Sequence, residues 1–365
     1  MLYAIIMAGG SGTRLWPESR AERPKQLLKI QGDRTMVQQA VDRLGDMVAP
    51  EQILIATTEQ LAGQVYEQVS QLPREAILAE PCPRNTAPCI GLAAIRVLRE
   101  DPEATMAIMP ADQVIGPADR FREAIRLAEA MVEEDPQRLI TFGIRPTYPA
   151  EAFGYIEQGE RLDSPIAQRS PAGVHRVAKF HEKPDAGTAA RYLEAGSYLW
   201  NAGIFVWKAR TVMSALACYE PSMHARLSAI AQAADRPDFG EVLQREFVAI
   251  DKISIDYAVM ERADEVVVIE APFDWDDVGS WRALERLRPA DERGNVIDAP
   301  KHIEIATTGT IARCQDPNHV VVLVGVKDLV VVVTPDATLV ADKNSEESIR
   351  EVISQLKSRG WTEHQ

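Results

Sequence analysis

Between Met7 and Gln26 the chain reads Met-Ala-Gly-Gly-Ser-Gly-Thr-Arg-Leu-Trp-Pro-Glu-Ser-Arg-Ala-Glu-Arg-Pro-Lys-Gln. Gly9, Gly10 and Gly12 can adopt positive φ, and without a Cβ they let main-chain N–H groups approach an anion. Residues 14 to 29 carry five cations (Arg14, Arg20, Arg23, Lys25, Lys29) against two acids (Glu18, Glu22), a local +3. Glycine-borne amides beside clustered cations describe a polyphosphate cradle. Taken alone, Gly-x-Gly also fits a tight turn before a solvated charged loop. Two familiar phosphate motifs fail on spacing. A Walker loop needs Gly-Lys-Ser/Thr where Gly12 is followed by Thr13-Arg14. A dinucleotide fingerprint needs a third glycine where Leu15 stands.

A second chemistry-bearing point is Asp112. It follows the apolar run Thr105–Met109, and a carboxylate at the carboxyl end of a strand faces the crevice where ligands bind in open α/β sheets. There it could offer a hard oxygen ligand to Mg²⁺ beside phosphates.

The first segment resembles the signature of the sugar-phosphate nucleotidyltransferases, Gly-Gly-x-Gly-Thr-Arg-Leu-x-Pro…Pro-Lys. Its form Leu-Trp-Pro-x-Ser-Arg…Pro-Lys-Gln is similar to the mannose-1-phosphate guanylyltransferase branch. The resemblance continues through Glu80-Pro-Cys-Pro-Arg-Asn-Thr-Ala-Pro88, Pro110-Ala-Asp112, Phe153-Gly-Tyr-Ile156, Phe180-His-Glu-Lys-Pro184, Trp200-Asn-Ala-Gly-Ile-Phe205, Ser254-Ile-Asp-Tyr-Ala-Val-Met-Glu261 and Trp275-Asp-Asp-Val-Gly-Ser-Trp281.

The resemblance implies transfer of GMP from GTP to mannose 1-phosphate, giving GDP-mannose and pyrophosphate with Mg²⁺ as cofactor. It implies nucleotide contacts from Ala8, Gly9, Gly10, Gly12, Thr13, Asn85 and Thr86. Asn85 and Thr86 also read as a plain cap on the apolar helical pattern that follows them. Arg14 and Lys25 would meet the GTP phosphates and the departing pyrophosphate, and Lys183 the sugar phosphate. Gly154, Glu182 and Asn201 would meet the sugar, whereas Asp256 and Tyr257 read as structural. Asp112 and Asp277 would hold Mg²⁺, with Asp276 the neighbour most easily confused with Asp277. The residue after Asp112, commonly His in this branch, is Gln113. No general base is needed, because a phosphate oxygen is already ionised at neutral pH.

Positioning these residues requires a sheet. Up to about residue 146 the strands Leu2–Met7, Ile53–Thr57, Ala76–Glu80, Thr105–Met109 and Leu139–Ile144 alternate with helical patterns, which implies right-handed βαβ units. One such pattern is the stripe Met36, Val37, Ala40, Val41, Leu44, Met47, Val48. Strands Gly154–Gln158, Val174–His181, Ile204–Lys208 and Glu265–Ile269, with helices around Gly187–Ala195 and Ser254–Arg262, complete the domain around a cleft. The fold expected is α/β, a Rossmann-like, mainly parallel sheet flanked by helices, of the nucleotidyltransferase, GT-A-like kind. Residues 1–287 form its catalytic domain and 288–300 a turn-rich linker.

Residues 301–365 contain short strands at roughly ten-residue spacing, which suit a small β-helix-like tail. These are Ile303–Ala306, Thr310–Arg313, Val320–Val324, Leu329–Val333 and Thr338–Val340. The valine row reads as strand core, and an exposed edge there is a candidate homodimer contact. A closing helix follows, with a capping box at Asn344 and Glu347 and the stripe Ile349, Val352, Ile353, Leu356. No histidine-bearing cupin pattern follows the tail, so isomerase activity is not expected.

Composition excludes other classes. With 54 acidic and 40 basic side chains the net charge is −14, which argues against nucleic acid or an anionic membrane as partner. No apolar run approaches the length of a membrane span, and the amino terminus lacks a basic n-region, so a cytoplasmic protein is expected. Cys82, Cys89, Cys218 and Cys314 form no CxxC pair and read as reduced, mostly buried thiols. Two rival functions share these motifs: a nucleotidyltransferase using UTP or dTTP with glucose 1-phosphate, and a non-catalytic nucleotide-sugar sensor. The sensor should have lost phosphate or metal residues, yet Arg14, Lys25, Asp112, Lys183 and Asp277 are all present.

Overall fold

The computed structural model describes residues 1–10, 12–345 and 348–365. It packs as two compact units that do not follow chain order. One holds Met1–Gly9, Ala40–Ala111 and Ile115–Trp275; the other holds Gly10–Gln39, Asp112–Val114 and Asp276–Gln365.

The first unit is built on a nine-stranded sheet. From one edge its strands are Ile77–Glu80, Ile53–Thr58, Leu2–Met7, Thr105–Pro110, Tyr198–Lys208, Leu139–Ile144, Val266–Glu270, Val174–His181 and Tyr155–Arg161; the last also bonds Tyr198–Lys208. Seven run in one direction, and only Tyr198–Lys208 and Val174–His181 oppose them. The expected mainly parallel sheet is thus present. Leu2–Met7 and Thr105–Pro110 are almost continuously apolar and buried, as strands covered on both faces must be. Helix Thr86–Glu100 buries Ala87, Ile90, Ala94 and Val97 completely, the spacing of one helix face. Helices Ala209–Tyr219, Pro221–Ala233 and Phe239–Val248 add to the same core.

Local differences from the sequence reading have physical causes. The helix beginning at Met36 stops at Leu44 rather than Val48, because Gly45 turns left-handed at φ 57°. The strand expected from Ile204 begins at Tyr198, where its backbone bonds both Tyr155–Arg161 and Leu139–Ile144. The segment around Ser254 forms a π-helical turn, Asp256–Met260.

In the second unit, Val296–Asp298, Ile311–Cys314 and Leu329–Val333 stack in parallel, with Thr338–Asp342 antiparallel beyond them. Lys301–Ile305 and Val320–Val324 pair in parallel as a second face. This is the expected β-helix-like tail. The valine row is only half core: Val321, Val330 and Val332 are buried, whereas Val320, Val322 and Val324 are exposed. The closing helix Ile349–Ser358 buries Ile349 and Leu356. Glu347 of the expected capping box lies outside the described residues. Leu15, Trp16, Leu28 and Ile30, from the cation-rich segment, share one apolar core with Val296, Ile311, Val330 and Trp281.

Among the described residues no helix is long and apolar enough to cross a membrane. All four cysteines are free thiols, two of them buried, one half-buried and one, Cys218, exposed.

Candidate active site

Of the predicted site residues, the second unit holds Gly10, Gly12, Thr13, Arg14, Lys25, Asp112 and Asp277. Gly12 adopts φ 56° ahead of the short turn Thr13–Leu15. A Cβ on Gly12 would stand 2.3 Å from Cβ of Lys25 and 2.9 Å from its N, so only glycine admits the Lys25 backbone here. Lys25 itself is buried. Its Nζ donates to Oδ2 of Asp112 at 3.0 Å and to the main-chain carbonyl of Asp277. Arg14 is exposed on the turn.

Asp276 and Asp277 have different surroundings. Asp276 is buried, accepts a fork of hydrogen bonds from Arg286 and takes the Val278 N–H at 2.8 Å. Val278 has φ 48°, a genuine outlier for a β-branched residue. Burial pushes the Asp277 carboxyl above its ordinary range, opposed by the positive charge of Lys25, raised further by Asp276, and opposed again by Arg14 and Arg286. Asp277 is therefore the carboxylate among the cations of the cradle, and Asp276 the one that secures the turn.

No group of three His, Cys, Asp or Glu side chains converges among the described residues. Asp112 and Asp277 nevertheless fit a divalent cation of the Mg²⁺ type, which commonly takes one or two protein carboxylates and completes its shell with phosphate and water oxygens. Asp277 is a part-buried carboxyl whose ionised form a cation would favour.

In the first unit lie the residues expected to meet the sugar. A Cβ on Gly154 would stand 2.6 Å from Oε2 of Glu182 and 3.5 Å from Cβ of Asn201, so this glycine admits two polar side chains to one place. Lys183 is exposed, ion-paired with Glu182, and has φ 47°, strain of the kind that gathers at functional sites. The Asn201 amide is fixed by its partners. Oδ1 accepts from Thr141 Oγ1 at 3.0 Å and from Gly203 N at 3.1 Å, and Nδ2 donates to Asp256 Oδ1 at 2.9 Å. Burial, then the Glu182 carboxylate, push the pKa of Asp256 up to about 6. Asp256, expected to be structural, thus orients a predicted sugar contact and faces another. Tyr257 is exposed.

Asn85 and Thr86 are tied into the backbone. Asn85, at φ 70°, accepts the Thr86 N–H at 2.8 Å as a helix cap, and Thr86 Oγ1 accepts from Ile255 N at 2.8 Å. Ala8 is held in the sheet by its N–H to Ala56 O at 2.7 Å. Beside Gly9 stands a residue the motif reading passed over. Glu80 is buried, Oε1 has no hydrogen-bond partner among the described residues, and Oε2 would lie 3.5 Å from a Cβ on Gly9. Burial raises its pKa to about 7, only partly offset by a hydrogen bond with Cys89. The rule that singled out Asp112, a carboxylate at a strand's carboxyl end, applies equally to Glu80, the last residue of Ile77–Glu80.

Comparison with known proteins places this chemistry in a class. A family model described as nucleotidyl transferase matches residues 3–294, and one described as a MannoseP isomerase/GMP-like beta-helix domain matches residues 300–356. The mannose-1-phosphate guanylyltransferase of Escherichia coli (strain K12) is 40% identical over 369 residues, covering 100% of this chain and 75% of that protein. The xanthan biosynthesis protein XanB of Xanthomonas campestris pv. campestris (strain B100) is 35% identical over 362 residues, covering 98% and 74%. A crystal structure from Thermus thermophilus, described as a mannose-1-phosphate geranyltransferase, is 34% identical with TM-score 0.85, covering 98% of this chain and 99% of that one. The chain belongs to the mannose-1-phosphate guanylyltransferase family of nucleotidyl transferases.

Proposed function

We propose that this chain transfers GMP from GTP to α-D-mannose 1-phosphate, releasing pyrophosphate and GDP-mannose. The observation that carries the reading is the convergence of Lys25, Asp112 and Asp277 behind the Gly12 turn. Family membership supplies the reaction class, and the names of its relatives supply the sugar and the base.

The chemistry is charge neutralisation and alignment. An oxygen of the sugar phosphate forms a bond to the α-phosphorus of GTP. The bond from that phosphorus to the α–β bridging oxygen breaks, and its electron pair leaves with pyrophosphate. The nucleophile is already an anion, so no side chain need remove a proton. Arg14 and Lys25 neutralise the triphosphate and the leaving pyrophosphate, with the main chain at Gly9, Gly10, Gly12 and Thr13 lining the same anion and Ala8 leading into it from the strand. Lys183 holds the sugar phosphate; Glu182, Asn201 and the backbone at Gly154 hold its hydroxyls. Preorganised donors of this kind each contribute about 10²–10³ in rate. Asp112 and Asp277 would hold Mg²⁺, which supplies further neutralisation of phosphate charge when bound.

For the base we assign Glu80 together with Asn85 and Thr86. Among the purines only guanine presents two adjacent donors, N1–H and N2–H, and an ionised carboxylate is acceptor-only. Soluble phosphate substrates and products fit a cytoplasmic enzyme.

Pyrophosphate release, measured with Mg²⁺, ATP, CTP, GTP, UTP or dTTP, and mannose or glucose 1-phosphate in turn, tests the reading. Turnover with GTP and mannose 1-phosphate is expected. Turnover confined to dTTP or UTP with glucose 1-phosphate would overturn the base and sugar assignment. Binding of nucleotide sugar without any turnover would make the chain a sensor.

A further inference from the structure

Arg313 lies on the strand Ile311–Cys314 of the tail and is wholly buried. A buried guanidinium is tolerated only where its charge and N–H groups are met. Here Nε and Nη2 donate to the two carboxylate oxygens of Glu18 at 2.7 and 3.0 Å, the bidentate fork that only arginine can offer. Nη2 also donates to the Lys29 carbonyl at 2.7 Å, and Nη1 donates to Asp298. The guanidinium carbon stands 5.7 Å from the ring centroid of Trp281, whose Nε1 donates to the Trp16 carbonyl at 2.9 Å.

These partners have a common relation to the phosphate cluster. Glu18 and Lys29 bracket Lys25 in the chain, and Trp281 closes the Asp-Val-Gly-Ser-Trp block that begins at Asp277. One cation therefore pins both sides of the segment bearing Lys25 and stacks on the block bearing Asp277. Other tail groups hold the same segment: Gln315 Nε2 donates to Lys29 O at 3.1 Å, and Trp16 Nε1 donates to His364 O at 2.8 Å. A buried ion pair is seldom the most stabilising way to fill a core, and its geometric requirements join the Lys25 segment to the tail at one place.

We infer that Arg313 is a positioning residue for phosphoryl transfer: through Glu18, the Lys29 carbonyl and Trp281 it fixes where Lys25 and Asp277 present their charges. The tail is then a working part of the triphosphate site. This rests on the transferase reading above.

The test is full-length protein carrying Arg313→Lys or Glu18→Gln, each checked for folding by circular dichroism and assayed well below its melting temperature. A misplaced charge at a reacting centre costs up to about 10²-fold. We expect kcat to fall about 10–100-fold and KM for pyrophosphate in the reverse reaction to rise about tenfold. KM for mannose 1-phosphate should stay within about threefold, because the Lys183 cluster is untouched. The double variant should be little worse than either single one, as for residues acting as a unit. Near-normal kcat per folded molecule would overturn the inference. So would equal weakening of both substrates, or failure of both variants to fold, since Arg313 would then be holding the fold rather than the loop. If wild-type protein gives no turnover with any substrate pair, the transferase reading has failed instead. Amide exchange at Leu27 and Leu28 in Arg313→Lys then still decides whether the tether exists.

Discussion

Nζ of Lys25 stands 3.0 Å from Oδ2 of Asp112 although the two residues are 87 positions apart, and the same ammonium bonds the main-chain carbonyl of Asp277. A buried lysine between two proposed metal-binding positions keeps them together before any ligand arrives. Lys25→Ala should therefore lower turnover by about 10²–10³, the ordinary cost of one preorganised charged donor. Asp112→Asn should behave differently: activity is lost at limiting Mg²⁺ and partly regained at high Mg²⁺. Metal-dependence curves for both variants check this, and a curve for Asp112→Asn that overlays wild type would remove Asp112 from the site.

Asp276 and Asp277 should separate cleanly. Asp277→Ala is expected to keep its fold and lose turnover by about 10²–10³. Asp276→Ala removes the acceptor of the Val278 N–H and the fork that meets Arg286, so it should lose stability, by about 1–3 kcal/mol for the unmet buried N–H. Denaturant unfolding of the pair beside their turnover decides it. Equal stability loss in both would mean that Asp277 is also a structural carboxylate.

The division of labour between these two aspartates was not legible in the sequence, because it depends on a left-handed Val278 that no propensity favours. What was legible had strong periodic or punctuating signals. The apolar run Leu2–Met7 and the alternation around it specified the sheet, and the ten-residue strand spacing after Lys301 specified the coil. The glycine cradle was readable because Gly12 has no substitute beside Lys25. Side chains that act through others were hidden. Asp256 looked like part of a helix face, and its contact with Asn201 joins positions 55 residues apart. Arg313 looked like one polar residue in a β-rich run, since nothing local marks a buried partner 295 positions away. Glu80 was hidden for another reason: it stood inside a recognised motif whose amide and hydroxyl residues drew attention first.

Glu80 carries the pH prediction. Its folded pKa, about 7, lies above the ordinary carboxyl value of 4.5. A carboxyl raised in this way holds its proton more tightly in the folded state. It therefore costs stability as pH rises from about 4.5 to 7, and the full cost persists above that range. At 1.36 kcal/mol per unit the cost approaches about 3 kcal/mol at pH 8. Glu80→Gln should recover much of it in the ligand-free protein, with little gain at pH 4. Guanine binding needs the ionised acceptor, so the ratio of wild-type to variant kcat/KM for GTP should rise between pH 6 and 8, and the variant should lose the preference for GTP over ATP. A variant that keeps its GTP preference would return base reading to Asn85 and Thr86.

Asn201 and Asp256 supply the last test, on the sugar side. The Nδ2–H to Oδ1 bond at 2.9 Å is what orients the Asn201 amide once Thr141 and Gly203 have fixed its oxygen. Asp256→Ala should raise KM for mannose 1-phosphate about tenfold, near 1.4 kcal/mol and about the net worth of one hydrogen bond. KM for GTP should stay within about twofold, which a general loosening of the fold would not allow. Because burial and Glu182 set the Asp256 pKa at about 6, the carboxylate accepts this bond most strongly above that pH. The sugar phosphate has its own second ionisation near pH 6, so the informative quantity is the ratio of wild-type to variant kcat/KM across pH 5 to 8. That ratio should climb through pH 6 and level off. A flat ratio would show that Asn201 holds the sugar without Asp256, and the carboxyl would revert to a packing role in the π-helical turn.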